Sequence, residues 1–89
     1  MKRNRKDYVK VIAETRSISI AAQQMGISQP ALSAYLKKLE SDLGVMLFDR
    51  SEIPLKLTEE GKAYIKYLDG VSALWADFEK EIKKLRSSQ

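Results

Sequence analysis

The chain has 89 residues, 44% hydrophobic and 31% charged, which leaves room for one small domain of ordinary globular composition. It holds no cysteine and no histidine, which excludes disulfides, Cys/His zinc sites, thiol nucleophiles and imidazole proton shuttles. The net charge of +4 lies at the ends: residues 7–79 carry 8 bases and 11 acids, a net of −3, between Lys2, Arg3, Arg5 and Lys6 on one side and Lys80, Lys83, Lys84 and Arg86 on the other. Such a charge permits an anionic partner without arguing for one. No apolar run is longer than that of Val45 to Phe48, far short of the ~20 residues that a bilayer requires, so neither a membrane span nor a signal peptide is expected. With carboxylates scattered along the chain and no glycine-rich phosphate loop, no enzymatic activity, metal or cofactor is expected either.

In chain order, the first predicted helix runs from about Arg5 to Thr15, with Tyr8, Val9, Val11 and Ile12 as its apolar stripe. Ile18 anchors the entry to a second helix, with Ser19 as its expected cap and Ala21, Ala22 and Met25 turned inward. Gly26 falls where that helix must stop, since glycine reaches positive φ without a steric penalty. Ile27 then plugs the core beneath the turn. Ser28 and Gln29 are both placed to cap the third helix, with Pro30 in its first turn, where no intrahelical amide partner is needed. Leu32, Leu36, Leu39 and Leu43 repeat at four, three and four residues, which predicts one buried face. Gln29, Pro30, Ser33, Ala34, Lys37 and the Glu40-Ser41 pair are then expected to face solvent.

Two helices joined by so short a glycine turn form the layout of a helix-turn-helix, whose second helix enters the major groove of DNA by its leading half. Gln29, Ser33 and Lys37 are i, i+4 neighbours, and with Pro30 and Ala34 they are the candidate base readers. Glutamine can pair with the adenine N6/N7 edge, serine with a base or phosphate, and lysine with guanine or a phosphate. Gly44 ends the helix, and Val45, Leu47 and Phe48 return the chain to the core. Residues 49–58 predict a short hairpin wing, in which Leu55-Lys56-Leu57 alternates in and out and Pro54 suits an edge. Ser28, Lys38, Arg50, Ile53, Pro54 and Lys56 are candidate phosphate or wing contacts. Arg50 can equally pair inside the domain, with Asp49 and Glu52 beside it.

Thr58 is placed to cap a last helix whose first turn carries Glu59 and Glu60, where negative charge favours the helix dipole. No proline interrupts the chain from there to about Arg86, a helix of about 42 Å. Along it Tyr64, Leu68, Val71, Trp75, Phe78, Ile82 and Leu85 are spaced by alternating fours and threes, an unbroken heptad seam. A domain of this size cannot cover so long a stripe. The outer part of the seam is therefore expected to form a homodimer within residues 59–86, with Trp75 and Phe78 as anchors, the alternative being that the helix folds back on its own core.

Ser17-Ile18, Ala21-Ala22, Ser28-Gln29-Pro30-Ala31-Leu32-Ser33, Leu39-Glu40, Leu43-Gly44, Leu47-Phe48-Asp49-Arg50 and Leu57-Thr58-Glu59-Glu60-Gly61 follow one another in an order and spacing that resemble the N-terminal domain of LysR-type transcriptional regulators. The resemblance covers essentially the whole chain. It implies a mainly α fold: a winged helix-turn-helix head, three helices and a β-hairpin over residues 1–58, then a linker helix over 59–89 that pairs two subunits. It further implies a cytoplasmic, nucleoid-associated bacterial protein that binds an interrupted inverted repeat of double-stranded DNA as a dimer. Such proteins normally continue into a larger effector-binding domain, so an effector is expected only of residues beyond these 89. The chain departs from the family pattern at Ile20, Ala34, Tyr35 and Glu52-Ile53, which bears on sequence preference and affinity. Two alternatives follow: a winged helix of another regulator, such as the molybdate-responsive type, and a dimeric adapter that captures regulators through its long helix without specific DNA binding.

Overall fold

The computed structural model describes residues 7–87, in the order α1 (Asp7–Thr15), α2 (Ile18–Met25), α3 (Gln29–Leu43), β1 (Phe48–Asp49), β2 (Lys56–Leu57) and α4 (Glu59–Ser87). The predicted start of the first helix at Arg5 lies outside the described residues, as do Lys2, Arg3 and Lys6. The described residues form a winged helix-turn-helix head from which α4 projects, 56 Å along the longest axis and 27 × 21 Å across.

Helices of 9 and 8 residues, as α1 and α2 are, would be marginal in isolation, so packing must hold them. The core that does so joins Val9, Val11 and Ile12 of α1, Ala21 and Ala22 of α2, Leu32 and Leu36 of α3, Leu47 and Phe48 around β1, and Leu68 of α4. Each large side chain removed from water contributes about 1.5–3 kcal/mol. Met25, Ile27 and Leu39 pack against this cluster in part. Tyr8 meets Tyr35 edge-on at 5.1 Å between ring centroids, tying α1 to α3.

The cap of α2 is Ser17, not Ser19. The Ser17 Oγ accepts from the Ile20 amide at 3.2 Å, and Ser19 is an exposed residue inside the first turn. Extended backbone at Ser17 (φ −154°, ψ 124°) lets the helix begin directly at Ile18. Of the two residues placed to cap α3, Ser28 does so, its Oγ accepting from the Ala31 amide at 3.2 Å. Gly26 takes φ 70° and its amide donates to the Ala22 and Gln23 carbonyls, turning the chain sharply between the two helices.

The leucine face of α3 departs from expectation at its far end. Leu32 and Leu36 are fully buried and Leu39 partly so, but Leu43 is 45% exposed, because the helix runs past the core before Gly44 stops it. Val45 is exposed as well, and only Leu47 and Phe48 re-enter the core. The buried row is instead Leu32, Leu36 and Glu40, at i, i+4 and i+8.

The wing is an antiparallel pair with Phe48 opposite Leu57 and Asp49 opposite Lys56. Thr58 ties it to α4. Its Oγ1 accepts from the Gly61 amide at 2.9 Å and donates to the Met46 carbonyl at 2.6 Å, while its own amide donates to the Leu47 carbonyl. The first turns of α4 belong to the head: Leu68 is buried there, and Tyr64 and Ile65 pack against the core. Lys10 of α1 forms an ion pair with Asp69 of α4 at 2.6 Å, on the outer side of that joint.

Candidate nucleic-acid interface

Helix α3 presents two parallel lines of side chains on the side away from the core. Pro30, Ala34, Lys37 and Ser41 recur at i, i+4, i+7 and i+11, all exposed, and form the outer ridge. Gln29 and Ser33 lie one step round the helix, Gln29 exposed at the start and Ser33 half-buried. Every predicted base reader therefore reaches the accessible side, but Ser33 is set back from Ala34. Ser28 and Lys38 are exposed too, Lys38 pairing with Asp42 one turn on at 3.3 Å.

Glu40, expected on the solvent face, is 5% exposed. Its Oε2 accepts from the Leu47 amide at 2.7 Å and the Phe48 amide at 3.4 Å, and its Oε1 takes the Arg50 Nη2 at 2.8 Å. A buried carboxylate needs such partners, and it has three donor groups. Arg50 is correspondingly committed. Its guanidinium grips both Glu40 oxygens, with Nη1 at 3.3 Å from Oε2, so its charge is matched from α3 and not by Asp49 or Glu52 beside it. The Asp49 carboxylate accepts from the Ser51 hydroxyl and amide, and those hydrogen bonds hold its pKa below the ordinary carboxylate value. Sequence spacing held a signal for Glu40, which continues the row of Leu32 and Leu36, but a glutamate among leucines reads as solvent-facing until a partner is known.

One positioning residue carried no such signal. Arg16, in the turn between α1 and α2, adopts φ 56°, a left-handed conformation uncommon outside glycine. There its Nε donates to the Leu55 carbonyl at 2.8 Å and its own carbonyl accepts from the Leu55 amide at 3.0 Å. The wing is thereby strapped to the first inter-helix turn. At the wing tip Glu52, Ile53 and Pro54 are exposed, Ile53 at 96%, and Lys56 is exposed on β2. An open hollow between α3 and the wing is lined by Ile18, Ser33, Lys37, Val45, Met46 and Arg50, so one concave surface joins the flank of the third helix to the base of the hairpin.

Along α4 the heptad seam divides. Leu68 is buried within the head and Tyr64 packs against it, which removes both from the exposed stripe. Val71 is half-buried, and beyond it Trp75 and Phe78 stand 50% and 53% exposed, their rings 5.5 Å apart, followed by the exposed Ile82 and Leu85. Among the described residues no group of His, Cys, Asp or Glu is arranged to hold a metal ion, and no helix is long and apolar enough to cross a membrane.

Residues 4–62 match the family described as "Bacterial regulatory helix-turn-helix protein, lysR family". The chain is 36% identical over 80 residues to the HTH-type transcriptional regulator BsdA of Bacillus subtilis, covering 89% of the chain and 28% of BsdA. It is 33% identical over 81 residues to the HTH-type transcriptional regulator CbbR of Xanthobacter flavus, covering 91% and 24%. The chain thus spans about a quarter of the length of these curated relatives. Among solved structures, the BenM_DBD/benA site 1 DNA complex superposes with a TM-score of 0.82 at 28% identity, covering 100% of both chains.

Proposed function

This chain belongs to the lysR family of bacterial regulatory helix-turn-helix proteins, and from that premise we propose that it is a sequence-specific DNA-binding head that acts as a symmetric dimer on an interrupted inverted repeat. The observation that carries the reading is the exposed leading half of α3, held at a fixed angle to α2 by the Gly26 turn and the Ser28 cap. That half would lie in the major groove, with Gln29, Pro30, Ser33, Ala34 and Lys37 towards the bases. Ser28, Lys38, Lys56 and the wing residues Ile53 and Pro54 would meet the backbone. Arg50 would contribute chiefly by holding the base of the wing, since its charge already faces Glu40.

Dimerisation is assigned to the distal seam, Val71, Trp75, Phe78, Ile82 and Leu85, with Tyr64 and Leu68 supporting it from within the head. An apolar stripe of this length left in water is otherwise unexplained. In functional terms residues 1–58 would supply the reading surface and residues 59–89 the linker helix, whose first turns pack into the head. Two heads related by a twofold axis would meet half-sites about one helical turn of DNA apart. Membership of a family of regulators supports a role in DNA binding and not in catalysis, and a bacterial cytoplasmic site of action goes with the DNA partner. The chain spans about a quarter of the length of its curated relatives, and an effector is proposed only for a protein that continues beyond these residues.

Selection of duplexes from a random pool tests the proposal. An enriched inverted repeat is the expected result. No enrichment at low salt would overturn it in favour of an adapter that captures other regulators through α4.

A further inference from the structure

The leading end of α3 is unusually apolar for a surface meant to recognise bases through hydrogen bonds. Pro30, Ala31 and Ala34 are all exposed, and Ala34 stands in the middle of the outer ridge, opposite the buried Leu32–Leu36–Glu40 row. Ser33, the polar neighbour best spaced to read with Gln29, is half-buried beside it. A methyl side chain neither donates nor accepts. On the major-groove edges of the four base pairs, the apolar feature that distinguishes one base is the C5-methyl of thymine. Alanine is also short, so the helix backbone can approach the bases until the two methyl groups touch.

We propose that Ala34, flanked by Pro30, is a specificity-determining residue that selects thymine at one fixed position of each half-site by contact with its C5-methyl. The inference rests on the DNA-reading function proposed above. Hydrogen-bonded reading then falls to Gln29 at the start of α3 and to Lys37 one turn past Ala34. The half-site is expected to combine one methyl-read thymine with flanking positions read through polar edges.

The experiment takes the best duplex selected by the 89-residue chain and replaces each thymine in turn by deoxyuridine, which keeps every hydrogen-bonding group and removes only the methyl. Affinity is expected to fall about fourfold at one position per half-site, the equivalent of about 0.8 kcal/mol for a buried methyl-sized group. In Ala34→Gly, which takes away the reading methyl, the thymine and uracil duplexes should bind equally. Ala34→Asn, which puts a polar amide in place of the methyl and disfavours the helix less than glycine, carries the same comparison should the glycine variant lose helical circular dichroism. Uracil duplexes that all bind the unmutated chain as well as thymine would overturn the inference while leaving DNA binding in place. A uracil penalty that survives both variants would assign the contact to another residue and overturn it equally. Failure to select any duplex would overturn the proposed function, and this inference with it.

Discussion

Glu40 shows how much one side chain can organise around a recognition helix. Its carboxylate receives two backbone amides and a guanidinium in a nearly dry site, so removing it leaves Leu47 N–H, Phe48 N–H and Arg50 to find other partners. Leaving a buried hydrogen-bonding group without its partner costs about 1–3 kcal/mol, so Glu40→Ala, which strips two buried amides of their acceptor, is expected to lose about 2–6 kcal/mol in urea unfolding. Arg50→Ala should cost less, about 1–3 kcal/mol, because the carboxylate keeps two backbone donors and the arginine is partly exposed. Equal losses from the two variants would show that the ion pair, and not the amide contacts, carries the site. Gln29 is the opposite case, exposed and structurally idle. Gln29→Ala is expected to leave melting unchanged and to weaken cognate binding by about 1–3 kcal/mol. Equal weakening on scrambled DNA would mean that Gln29 touches the backbone. The exposed position of Gln29 was legible in the sequence because it depends only on its place at a helix start. The role of Glu40 was not, because its partners lie seven to ten residues away across a turn and a strand.

At the scale of elements, α4 has two glycines with opposite roles. A Cβ on Gly61 would stand 2.7 Å from Leu57 Cδ2 and collide with the Leu47 carbonyl oxygen, so the start of α4 can press against the wing only without a side chain. Gly61→Ala is expected to cost about 1–3 kcal/mol from overpacking at the joint. Gly70 has nothing within 4 Å of its would-be Cβ and sits in the exposed middle of the helix. Gly70→Ala should stabilise by about 1 kcal/mol through helix propensity alone, a rise in melting temperature of about 4–8 °C for a domain of this size. Thermal melts of the two variants check the contrast. A Gly61→Ala protein as stable as the parent would mean that the wing can shift away from α4. What separates the two glycines is which one the wing crosses, a contact that only the fold creates.

For the whole molecule, the consequence of the division along α4 is that a compact head carries a long helix whose distal apolar side faces water. Phe78→Asp or Trp75→Asp places a charge on that side, far from the head core, and should leave the fold of the head intact while converting dimers to monomers. DNA affinity should fall with it, because two linked heads bind the second half-site at a high effective concentration and separated heads do not. Sedimentation of each variant with the parent sets the outcome. An unchanged dimer would move the interface elsewhere, and a monomeric parent would remove it.

What the sequence determined alone was most of what local spacing sets, the cap of α2 apart: the helix-turn-helix with Gly26 at its corner, the hairpin before Thr58, the last helix and its apolar repeat. These follow from backbone stereochemistry and periodicity, which act between residues a few positions apart. Tertiary structure decided which members of each pattern are covered. Leu43 and Val45 run past the core, Leu68 is claimed by the head before any partner can reach it, and Glu40 turns inward because Leu47, Phe48 and Arg50 converge on it. Arg16 reaches the wing for the same reason, since its partner Leu55 is brought alongside only once the hairpin has folded back. Periodicity names the face of a helix, but burial depends on what is packed against it, and those contacts join residues far apart in the chain.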